Sequence, residues 1–134
     1  MKLRRKRFPA ELERPFSNFT RVVSIVERAK QALTEVMPTT RLPGRPPSDA
    51  LSEFEEVLGE ARVLMPGWRH AEIESEWSLA DAGLSEALDR ARRLREEAPD
   101  LGGFEDLIWV VGELLAPLEP FGSAAVRFRQ LRTV

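Results

Sequence analysis

Cysteine and tyrosine are absent from this 134-residue sequence, and histidine occurs once, as His70. Without thiols there is no disulfide framework, no thiolate zinc site and no cysteine nucleophile. Glycine-rich phosphate loops, dinucleotide fingerprints and a Ser/His/Asp set are also missing. The common catalytic constellations are therefore excluded, and the chain reads as non-enzymatic, with no cofactor and no metal expected. Long apolar runs are lacking too: Leu107-Ile108-Trp109-Val110-Val111 falls far short of the roughly 20 residues that span a bilayer. The basic start, Met1 to Arg7, is followed by Phe8-Pro9-Ala10-Glu11 where a secretory signal would carry an apolar stretch. These features lead to the expectation of a cytoplasmic protein with no membrane partner.

What is present is enough for one folded unit. Apolar residues make up 43% and charged residues 31%, so a core can form beneath a well-solvated surface. The net charge of −2 hides a segregation. No acid occurs in residues 1–10, which carry Lys2, Arg4, Arg5, Lys6 and Arg7, or in residues 120–134, which carry Arg127, Arg129 and Arg132. With +5 and +3 on its ends, a chain of net charge −2 has −10 on the body between them.

Residues 1–16, charged and broken by Pro9 and Pro15, read as a basic arm docked by a few apolar anchors such as Phe8, Leu12 and Phe16. Residues 17–134 read as a single helical domain. From Ser17 or Asn18 as N-cap, Phe19, Val22, Val26, Ala29, Leu33 and Val36 recur at helical spacing until Met37-Pro38. Residues 38–47 hold four prolines and form a stiff connector. Ser48 is placed to cap a second helix through Met65, with Leu51, Phe54, Leu58 and Ala61 on its seam. A third runs along Ile73, Trp77, Ala80, Leu84, Ala87, Ala91, Leu94 and Ala98, with Gly83 as a candidate bend. Phe104, Leu107, Ile108, Val111, Leu114 and Leu115 stripe a fourth. After Pro120, Phe121, Ala125, Phe128 and Leu131 keep helical spacing, although Val126 to Arg129 also alternates like a strand. The spacing predicts an all-α fold: an antiparallel bundle of four main helices plus a short C-terminal helical segment.

Several residues stand out against this plan. Trp109 projects away from the fourth seam, among Glu105, Asp106 and Glu113, and must be covered by its own chain or by another subunit, where tryptophan is a preferred anchor. On the second helix Asp49, Glu53, Glu56 and Glu60 form an acidic stripe with no basic residue among them, open to a basic partner. Near His70, Arg69, Glu72 and Glu76 share one side of the third helix, which suits an ion-pair ladder better than convergent metal ligands. Glu86 with Arg90 and Asp89 with Arg93 are spaced to neutralise one another. Together these features favour protein–protein contact, self-association included, through the Trp109 face or the acidic stripe. The alternative is a nucleic-acid-associated protein that docks phosphates through Lys2, Arg4, Arg5, Lys6, Arg7, Arg127, Arg129 and Arg132.

Overall fold

A computed structural model describes residues 8–38, 43–97 and 104–132. The described residues are helical, with no strand among them. Helix α1 spans Ala10–Thr34 and opens on Pro9, whose φ of −52° suits a helix entry. It starts earlier than the Ser17 or Asn18 cap and takes in residues expected to belong to an irregular arm. Pro15 removes one intrahelical donor, but Leu12 is buried and the Phe8 and Phe16 rings, 4.3 Å apart, rest on Phe128 at 6.1 and 5.4 Å. Tertiary docking thus outweighs the local break.

Helix α2 spans Pro47–Leu64. Pro47 occupies its first position, where the missing N–H is no loss, so Ser48 lies inside the first turn and no side chain caps the helix. A 3-10 turn, Met65–Trp68, and a second, Ala71–Ile73, lead into α3, Glu74–Glu97. His70 caps the second turn: its Nδ1 accepts from the Glu72 backbone N–H at 3.1 Å. Helix α4 begins as Phe104–Leu115, tightens into the 3-10 turn Ala116–Leu118 and continues as Pro120–Gln130. The C-terminal segment is therefore the second limb of the fourth helix and not a separate fifth element. Pro117 and Pro120 remove donors where the turn narrows and redirect the helix without ending it. Val126 to Arg129 is helical.

Helix α1 packs along α2, α2 on α3, and α3 on the second limb of α4, while the first limb is more lightly held. The buried apolar residues of all four helices form one connected cluster. Trp68, which no periodicity placed, lies fully buried, with Phe19 at 4.8 Å, Phe128 at 6.2 Å, Phe121 at 6.3 Å and Trp77 at 6.4 Å. Trp77 Nε1 donates to the Met65 carbonyl at 2.8 Å and Trp68 Nε1 to Met65 Sδ at 3.3 Å, so both buried indole N–H groups are satisfied. Helix α3 runs without a break through Gly83. This glycine lets α3 lie against the turn of α4, because a Cβ there would strike the Pro117 carbonyl.

By length and composition alone, Asp106–Gln130 could cross a membrane, although its longest unbroken apolar run gave no such indication. A third of its most apolar 18-residue window is buried within the fold, and the core helix of a folded body can meet the same criteria.

Candidate functional site

The first limb of α4 buries Val110, Val111 and Leu114 and half-buries Leu107 and Leu115. The inward face is therefore rotated from the expected one, and Ile108, assigned to the core seam, is 50% exposed. Trp109 beside it is 67% exposed, so the described parts of the chain do not cover it. The two side chains make an apolar patch on the limb with the fewest internal contacts. Trp109 also walls a shallow groove of about 240 Å³ with Arg90, Arg93, Leu94, Glu97, Glu113 and Leu114. Arg90 fastens its base: it donates to the Glu113 carbonyl at 2.7 Å and to Glu86 at 2.6 Å, and lies 3.5 Å from the Glu113 carboxylate. The side chain of Glu105 lies outside the described ones. No ion pair forms between Asp89 and Arg93, so Arg93 stays exposed at the groove rim.

The acidic stripe is less open than its sequence suggested. Glu53 pairs with Arg45, which also lies 3.4 Å from Glu35, and Glu60 meets Arg28 of α1 at 2.5 Å. Hydrogen bonding to Glu53 raises the Arg45 pKa above its ordinary value. The expectation of an uncompensated stripe is therefore met only in part, because the cations that pair with Glu53 and Glu60 come from the connector and α1, which a projection of α2 alone does not contain. Asp49 and Glu56 remain exposed, without an ion pair among the described residues. Between α1 and α2 runs an open groove of about 420 Å³ lined by Arg28, Gln31, Glu35, Glu53, Glu56 and Glu60.

The ladder expected of Arg69, Glu72 and Glu76 does not form. Arg69 instead grips Glu74, with Nη2 at 2.7 Å and Nε at 3.1 Å, and its guanidinium lies 4.2 Å over the Trp77 ring. This hydrogen bond lowers the Glu74 pKa and raises that of Arg69. Glu76 faces Arg127 at 4.0 Å. Among the described residues no three His, Asp or Glu side chains are grouped to hold a metal ion.

Of the basic ends, Lys2, Arg4, Arg5, Lys6 and Arg7 lie outside the described residues. Arg129 and Arg132 are exposed on the last turn of α4 and just beyond it. Arg132 stacks its guanidinium 5.1 Å over Phe8 and 5.5 Å over Phe16. The sequence marked Phe8 and Phe16 as anchors; what it did not reveal is that their seat is the opposite end of the chain. No protein-family model, curated protein or solved structure matches the chain.

Proposed function

We propose that this protein acts by surface contact rather than bond chemistry, and that two copies associate across the first limb of α4 around Trp109. The observation that carries this reading is the exposure of Trp109, at 67%, next to Ile108, at 50%, on a limb whose opposite side buries Val110, Val111 and Leu114. Such an exposed aromatic and aliphatic pair is a characteristic interface anchor. A second copy suits it because the adjacent groove carries both signs of charge, Arg93 against Glu97 and Glu113. Across a two-fold axis each copy can then set its arginine against the other's carboxylates. Burying both tryptophans would contribute about 6 kcal/mol before the cost of association, which sets a weak, concentration-dependent dimer.

The body presenting this face is read as an antiparallel bundle. Supporting that order, Asn18 in the first half of α1 donates to the Gly67 carbonyl beyond the end of α2, at 2.8 Å. At the other end the Arg45 N–H donates to the Glu35 carbonyl at 2.7 Å.

Sedimentation over a range of concentrations tests the proposal. The protein should pass from monomer to dimer as concentration rises, and Trp109→Ala should remain monomeric with an unchanged helical circular dichroism spectrum. A wild-type monomer at near-millimolar concentration overturns it. So does loss of the helical spectrum in Trp109→Ala, which would make Trp109 a core residue.

A further inference from the structure

We infer that Arg90 is the positioning residue of the proposed dimer face, holding the first limb of α4 at the angle that sets Trp109 against α3; this rests on the dimer reading above and adds the group that keeps its face assembled. The sequence itself leaves a backbone acceptor open in this limb. In an α-helix the Glu113 carbonyl would accept from the backbone N–H four residues on. That residue is Pro117, which has no N–H and whose ring crowds the same carbonyl. An acceptor deprived of its helical donor needs one from elsewhere. Arg90 supplies it: Nη1 donates to the Glu113 carbonyl at 2.7 Å, while Nη2 donates to Glu86 at 2.6 Å. The planar fork is thus fixed to its own helix on one side and closes the open turn of α4 on the other.

Two contacts on one side of α3 then hold the base of the limb. Gly83 lies against the Pro117 carbonyl, and Arg90 holds the Glu113 carbonyl. The two α3 residues are seven apart, about two helical turns, and so share a side. Further along α3, Arg93, Leu94 and Glu97 line the groove that Trp109 walls. Trp109 precedes Glu113 by four residues, about one turn, so fixing the Glu113 carbonyl fixes the tilt with which the indole meets α3. The face is composite: Arg93, Leu94 and Glu97 come from one helix, Trp109 and Glu113 from the other. It is one surface only while the limb is held, and a second copy binds only that fraction of molecules. Arg90 lies at the base of the groove with both arms of its fork engaged, and therefore acts through the limb.

Hydrogen–deuterium exchange read by mass spectrometry, alongside sedimentation, tests the assignment on the full chain. Arg90→Met keeps the apolar stem and removes the fork. Amides of residues 110–115 should then exchange about tenfold to a hundredfold faster, the range expected for losing a charged hydrogen bond to a backbone carbonyl, while α1 and α2 exchange as in wild type. The dimer should weaken about tenfold or more, since both copies must present the held limb. Arg90→Lys, which keeps the charge without the fork, should fall between. Pro117→Ala restores the missing N–H, so adding Arg90→Met in that background should speed limb exchange much less. Faster exchange in every helix alike overturns the assignment, because Arg90 would then serve the fold as a whole. Wild-type dimer affinity in Arg90→Met also overturns it, as does an equal effect with and without Pro117→Ala. Exchange in the Trp109→Ala chain separates the two readings: a wild-type chain that never dimerises sinks the dimer, whereas limb exchange unmoved by Arg90→Met in the Trp109→Ala background sinks the positioning role.

Discussion

Gly83 sits inside α3, where exchanging glycine for alanine ordinarily stabilises a helix by about 1 kcal/mol. Here the added methyl would lie 3.1 Å from the Pro117 carbonyl carbon and closer still to its oxygen, against a comfortable separation of about 3.5–4.0 Å. The obstacle is backbone in a turn bounded by Pro117 and Pro120, so no side-chain rotation relieves it. Helix α3 must move from the turn by about 1 Å, which loosens its packing on the turn and on the second limb of α4, where Leu118 and Phe121 are buried. Overpacking of this kind costs about 1–3 kcal/mol or more. After the gain in helix propensity, Gly83→Ala should lose about 1–2 kcal/mol and on the order of 3–10 °C in Tm. Gly59 in α2 is the control, because a Cβ there would meet nothing within 4 Å. Gly59→Ala should gain about 0.5–1 kcal/mol. Urea denaturation followed by circular dichroism measures both. Two gains of the same sign would refute the close approach, and with it the seating of α3 on the turn of α4.

Three further outcomes are expected. Trp68→Ala should cost about 3–5 kcal/mol in urea denaturation, since it removes a fully buried indole from among four other rings. Trp109→Ala should change the stability of the monomer by no more than about 0.5 kcal/mol, while removing the dimer from sedimentation profiles. For Glu74, whose carboxyl the Arg69 hydrogen bond holds below its usual value, the stabilisation is present above the unfolded pKa of about 4.3 and is lost as pH falls through the lower folded value. Glu74→Gln should therefore lower Tm at neutral pH and converge on wild type in strong acid; an equal difference at both would refute the assignment.

The interior faces of the first three helices were legible because each rests on a repeating pattern along one element. Phe19, Val22, Val26, Ala29 and Leu33 on α1, and Trp77, Ala80, Leu84, Ala87 and Ala91 on α3, are buried as their spacing predicts. The fourth helix was harder to read for a physical reason. From Leu107 to Val111 every side chain is apolar, so the pattern contains little to distinguish the buried Val110 from the exposed Ile108. The start of α1 depends on Phe128, and the pairing of Glu60 and Glu53 on Arg28 and Arg45. Those partners lie on other elements, and local propensity has no knowledge of them. Trp68 lies in a short 3-10 turn, where there is no period to extrapolate.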